Sequence, residues 1–170
     1  MSNPKLKNRW IALYVENQVG VLAKVSGLFS GKSYNLQSLT VGTTEDPTVS
    51  RMTIGVESDD VTFEQIKKQL NRMVEVIKVM DLTQVPIHMK EILFAKILSV
   101  DDAGKEEAFR IAEVFHVDVA DIGSDSVLFE CKLTERRNNE LIELLKSRFK
   151  QIEIVRGGAV AIESISTSCR

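Results

Sequence analysis

The chain has 170 residues, 44% of them hydrophobic, with 22 Lys+Arg against 24 Asp+Glu and a formal net charge of −2. That length and apolar content suit one medium domain or two small ones, and the near-neutral balance supplies no positive field to gather nucleic acid or anionic lipid. Met1 to Asn8 is polar, no apolar run approaches the ~20 residues of a membrane span, and Cys131 and Cys169 have neither metal-ligand nor disulfide-framework spacing, so a cytoplasmic protein with free thiols is expected.

In chain order, an apolar strand is predicted over Arg9–Glu16. A tight turn closing at Gly20 leads into a helix over Val19–Gly31, with Leu22, Val25, Leu28 and Phe29 at helical spacing. Gly31 reads as the left-handed C′ residue that ends it. Strands Asn35–Gly42 and Thr48–Ser58 follow, joined by a turn through Asp46-Pro47. A helix over Thr62–Met73 sets Phe63, Ile66, Leu70 and Met73 on one face, and strand Glu75–Asp81 closes the unit. This is β-α-β-β-α-β, the split βαβ layout. Pro86 sits in a connector, Thr83 to Met89, where the domain boundary is placed.

The same order then repeats. Strand Glu91–Ser99 turns through Asp101–Gly104 into helix Lys105–Phe115, with Ala108, Ile111, Ala112 and Phe115 facing inward. Strands Val117–Asp121 and Ser126–Leu133, helix Glu135–Phe149 and strand Ile152–Ile162 complete it. The fold class is therefore α+β, two ferredoxin-like βαββαβ domains in tandem, with domains at residues 9–82 and 90–165. Each has an antiparallel sheet with helices on one face. The opposite sheet faces are expected to be covered by another subunit.

Catalytic constellations are poor. The two histidines, His88 in the connector and His116 at a helix end, have no orienting partners, and Cys131 has no activating loop around it. The GKS ending of Gly27–Ser33 is one residue short of a phosphate loop and ends a helix instead of starting one. The turn after the first strand is more informative. Free N–H groups at a helix start attract a carboxylate, and Gly20 allows close approach. Asn17 before the helix and Asn35 after it can each donate and accept hydrogen bonds to a zwitterion. Asn17 also fits the helix N-cap, a role compatible with ligand binding. Together they point to a sensor for a small amino acid.

The run ENQVGVLAKVSGLFSGKSYNLQSLTV, followed by EDPTVSRMTI, closely resembles the regulatory (small) subunit of acetohydroxyacid (acetolactate) synthase, whose first half is an ACT domain. EILFAKI, VFHVDVADIGSDSVLFE and IVRGGAVAI are similar to that family's C-terminal domain. The resemblance implies a non-catalytic subunit that activates a large catalytic subunit and confers feedback inhibition by a branched-chain amino acid, valine first. Thiamine diphosphate, FAD and Mg would lie on that partner and no cofactor on this chain. It implies that Asn17, Gly20, Val21 and Leu22 hold the ammonium and carboxylate. Asn35 and Leu36 would come from a second ACT domain in a homodimer, and Leu13 and Val21 would shape the side-chain pocket. Ser33, where such subunits more often carry glycine, and Lys132-Leu133, where a glycine-bearing turn is typical, depart from the pattern. The alternative is a free-standing ACT-type amino-acid sensor acting on a different partner.

Overall fold

The computed structural model describes residues 6–165, so Cys169 lies outside them. The elements run β1 (Lys7–Glu16), α1 (Val21–Gly31), β2 (Asn35–Thr43), β3 (Val49–Ser58), α2 (Asp60–Leu70), β4 (Val76–Asp81), β5 (Ile87–Leu98), α3 (Asp102–Phe115), β6 (Asp118–Ile122), β7 (Ser126–Leu133), α4 (Glu135–Arg148) and β8 (Gln151–Glu163). Two four-stranded sheets result, ordered β2-β3-β1-β4 and β6-β7-β5-β8. Each repeats the ferredoxin-like arrangement, in which the second strand of a split βαβ unit leaves room for the third. Among the described residues no helix is long and apolar enough to cross a membrane.

The chain divides into two compact units, one made of the residues up to His88 together with those from Ala159 on, the other of Met89–Gly158. In the first, alternate strand residues Ile11, Leu13 and Val15 of β1 and Met52, Ile54 and Val56 of β3 meet Val21, Val25 and Phe29 of α1 and Phe63, Ile66 and Leu70 of α2. Period-2 strands and period-3.6 helices thus share one apolar layer, each large side chain contributing roughly 1.5–3 kcal/mol by burial. The second unit repeats the scheme with Leu93, Ala95 and Ile97 against Ala108, Ile111, Phe115, Leu141 and Leu145. Cys131 stands on this core face, fully buried, and burial, with Asp118 and Glu130 nearby, pushes its thiol up to about 11. It is a packing residue, not a nucleophile.

Helix starts differ from the periodicity-based limits because capping, not the apolar stripe, sets them. Asp59 accepts a hydrogen bond from Thr62 N (2.7 Å), so α2 begins at Asp60. Asp101 accepts from Gly104 N (2.8 Å), so α3 begins at Asp102. At the other end α2 stops at Leu70, and Met73 packs against the core from the turn beyond. Gly31 is the last helical residue of α1, and Ser33 carries the left-handed backbone, at φ 54°. Leu22 is exposed, because Val21 occupies the inward position of the first turn. His88 belongs to β5, and His116 ends α3 in the left-handed region (φ 55°).

The face of the first sheet opposite its helices is covered in part by the chain's own C-terminal segment. Ala159 N donates to Ser38 Oγ (3.3 Å), Ala159 O accepts from Thr40 Oγ1 (2.7 Å), and Ala161 N donates to Thr53 Oγ1 (3.4 Å). The Arg51 guanidinium donates to Ala161 O and pairs with Glu163 at 3.4 Å. Ala159 and Ala161 are buried there, while Val160 and Ile162 point outward, as strand alternation requires. Backbone groups are satisfied by side-chain hydroxyls and a guanidinium, so this stretch lies on the sheet without joining its ladder.

Candidate functional site

Three of the four helices begin with a side-chain cap, from Asp59, Asp101 and Thr134. The exception is α1. Its N-cap is Gly20, at φ 90° and ψ −11°, with no side-chain hydrogen bond and no acidic residue in the first turn. Val21 N reaches back to Gln18 O at 3.3 Å, and Lys24 N takes up Gly20 O at 3.0 Å. The N–H groups between them lie in the first turn, where a helix offers donors without intrahelical acceptors. Positive φ at Gly20 is a conformation side chains rarely adopt, and the space where a Cβ would stand is open. The first turn of α1 is therefore an uncapped, uncompensated positive dipole end with open access.

Asn17 is not the cap, contrary to the sequence expectation. Its Nδ2 donates to Pro47 O (2.9 Å), its Oδ1 accepts from Ser50 Oγ (3.0 Å), and its N–H donates to Thr48 O (2.7 Å). These bonds fix the carboxamide beside the turn while leaving one N–H and one lone pair unused. The β2–β3 connection that holds it is itself braced. Asp46 Oδ1 accepts from Thr48 N (2.8 Å) and Thr48 Oγ1 (2.6 Å), and those bonds hold the Asp46 carboxyl below its ordinary range. Pro47, Thr48 and Ser50 thus position Asn17; the Asp-x-Thr pattern signals the turn itself but not its contact with Asn17.

Val21 is buried under the turn and Leu22 is exposed on its surface. Leu13 is fully buried in the sheet core, so it shapes packing beneath α1 and cannot line an open pocket. Lys24, one turn on, is ion-paired to Glu75, whose carboxyl this lysine pulls below its ordinary range.

Asn35 and Leu36 lie elsewhere. Asn35 opens β2, exposed, with Nδ2 3.4 Å from Glu57 Oε2, and it pairs in register with Glu57; Leu36 is half-buried against the core. Asn17 follows Glu16, which pairs with Val49 at the other end of β3. From Val49 to Glu57 at ~3.3 Å per residue is about 26 Å. Within one chain the structure brings Asn17, Gly20, Val21 and Leu22 together and keeps Asn35 and Leu36 at the far end of the sheet.

Residues 11–78 match the family described as AHAS small subunit-like ACT domain, and residues 90–165 match the small subunit of acetolactate synthase. Fold and turn thus define an ACT-domain protein. An acetolactate synthase small subunit of Aquifex aeolicus is 39% identical over 158 residues, covering 93% of this chain and 82% of that protein. The isozyme 3 small subunit of Salmonella typhimurium is 36% identical over 154 residues, covering 91% and 94%. The crystal structure of a small subunit from Thermotoga maritima superposes with a TM-score of 0.85 at 33% identity, over 94% of this chain and 99% of that one. The chain belongs to the acetolactate synthase small-subunit family.

Proposed function

We propose that this protein is the regulatory partner of a cytoplasmic acetolactate synthase catalytic subunit, and that it binds a branched-chain amino acid, valine first, at an interface between two ACT domains spanning residues 9–82. Residues 90–165 form the second regulatory domain, its last stretch from Ala159 returning to the first compact unit. The observation that carries this reading is the uncapped start of α1 behind Gly20, with the Asn17 carboxamide fixed beside it. A carboxylate fits the N–H groups and dipole, an ammonium fits the amide oxygen, and an apolar side chain fits the exposed surface of Leu22.

The 26 Å separation within one chain supports a site shared by two. Strand β2 is an edge of its sheet. A two-fold axis that pairs β2 antiparallel with the same strand of a second copy sets the Asn35 end of one beside the Thr43 end of the other, which is also the Asn17 end. Asn35 and Leu36 then complete the neighbour's site. Effector binding that favours one arrangement of domains over another couples to the catalytic partner, typically by about 1–3 kcal/mol, and the coupling is reciprocal. Thiamine diphosphate, FAD and Mg belong to that partner's chemistry.

The test is reconstitution. Alone, the chain forms no acetolactate; added to its catalytic subunit, it raises turnover and makes it sensitive to valine. Sedimentation at micromolar concentration gives a dimer. Acetolactate formation by the purified chain, or a stable monomer that still binds valine, contradicts the proposal.

A further inference from the structure

A groove of about 460 Å³ on the first unit is lined by Gln65, Lys68, Gln69 and Arg72 along α2 and the turn beyond it, with Lys32 and Tyr34 opposite. Among the described residues, the lysines and arginines without an ion pair are Lys32, Lys68, Arg72, Lys78, Lys90 and Lys150. Half of them face this one groove, in a chain whose net charge is negative. The acids nearest in sequence are committed elsewhere: Glu64 to Lys67 at 2.6 Å, and Glu75 to Lys24.

A helix dipole favours cations near its C-terminus, but it does not require them to be unpaired. At the end of α4 the same preference is met by Lys146 and Arg148, and there each has a glutamate, Glu143 at 2.9 Å and Glu107 at 3.6 Å. Around the α2 groove three like charges converge with no acid between them. All three are exposed, so water and salt screen part of their repulsion, and an anion from outside relieves the rest. The remaining lining, two carboxamides and a phenol, can hydrogen-bond carboxylates and peptide groups alike.

We infer that this groove docks an acidic segment of the catalytic subunit, an inference that rests on the partnership proposed above. Tyr34 adjoins Asn35 of the shared effector site, whereas Lys68 and Arg72 belong to α2 and the turn beyond it, so charge changes at those two residues test docking separately from effector binding. Cationic steering of this kind speeds encounter and weakens as salt rises.

The experiment titrates full-length protein into its catalytic subunit and reads the concentration giving half-maximal activation at low and moderate salt. A Lys68→Glu/Arg72→Glu variant is compared with Lys78→Glu/Lys150→Glu, which changes charge equally away from the groove. Circular dichroism melting and the valine-induced thermal shift confirm that both fold and bind effector. The groove variant is expected to need roughly tenfold more protein at low salt, to lose most of the salt dependence, and to reach the same maximal activation. The control is expected to stay within about twofold of wild type. Equal behaviour of the two variants overturns the groove assignment while leaving the partnership standing. Inorganic pyrophosphate that stabilises the wild type and not the groove variant reassigns the groove to a small anion. A wild-type protein that fails to activate at all removes the partnership, and this inference with it.

Discussion

Substitutions at Gly20 separate backbone strain from charge. Gly20 holds φ 90°, and a Cβ there meets nothing within 4 Å, so a side chain costs conformation but no collision. Gly20→Ala is expected to lose about 1–2 kcal/mol from that strain. For a chain of this size the melting temperature falls by roughly 2–8 °C. The variant keeps the α1 N–H groups accessible and so keeps a ligand response. Gly20→Asp carries the same strain and adds a carboxylate at the dipole end that the effector's carboxylate needs. Valine at ~100 times Kd stabilises the wild type by roughly 2.7 kcal/mol, about 5–11 °C, and Gly20→Asp by close to nothing. The assay is thermal unfolding with and without valine, leucine or isoleucine, alongside activation of the catalytic subunit, which both variants retain. A full valine shift in Gly20→Asp places the effector elsewhere. Loss of the shift in Gly20→Ala as well means that the backbone conformation, not the charge, governs the site.

Ser33 adopts φ 54°, where a Cβ is disfavoured, so Ser33→Gly is expected to stabilise by about 0.5–1 kcal/mol, seen as a higher denaturation midpoint. Asp46 has its folded pKa lowered by the Thr48 bonds, so it contributes stability above its ordinary value near 3.8 that is lost as pH falls through the lower folded value. Thr48→Val removes the hydroxyl bond, raises the Asp46 pKa measured by NMR, and makes acid unfolding begin at higher pH; an unchanged Asp46 titration refutes the assigned cause. Glu91 is buried and pairs with Arg156 through two bonds of 2.7 and 2.9 Å, with Asn138 donating to it at 3.0 Å. Arg156→Met leaves that carboxylate buried without its cation and is expected to cost about 2–4 kcal/mol in urea unfolding, most of which Glu91→Gln in the same background restores.

Period-2 and period-3.6 patterns located all twelve elements, because each buries one face and the apolar residues sit where that burial demands. The ends were less legible. Asp59 and Asp101 precede their helices as preferred caps, yet the apolar stripe drew the limits inward to Thr62 and Lys105. Leu22 matched the helical spacing as well as Val21 does, and only the entry angle set by Gly20 decides which turns inward. At the candidate site, the turn at Gly20 is visible in the sequence, but the uncapped start is not: Asn17 stands close enough to read as the cap, and only its bonds to Pro47 and Ser50 show that it is spoken for. That Asn17 is held by Pro47 and Ser50 depends on a contact some thirty residues away, which no local pattern encodes. The covering of the first sheet by Ala159–Glu163 is equally non-local.

That covering ties the order of synthesis to the order of folding. Arg51 and Glu163 are 112 positions apart. At ~5–20 residues per second, roughly 6–22 s pass between the ribosome adding the arginine and adding the glutamate that meets it. During that interval Ser38, Thr40, Arg51 and Thr53 face water in a sheet whose apolar side can already be packed. The N-terminal unit is thus finished by residues made long after its own strands. A chain cut short just before Ala159 loses part of its first unit, although the break falls after the whole of the second.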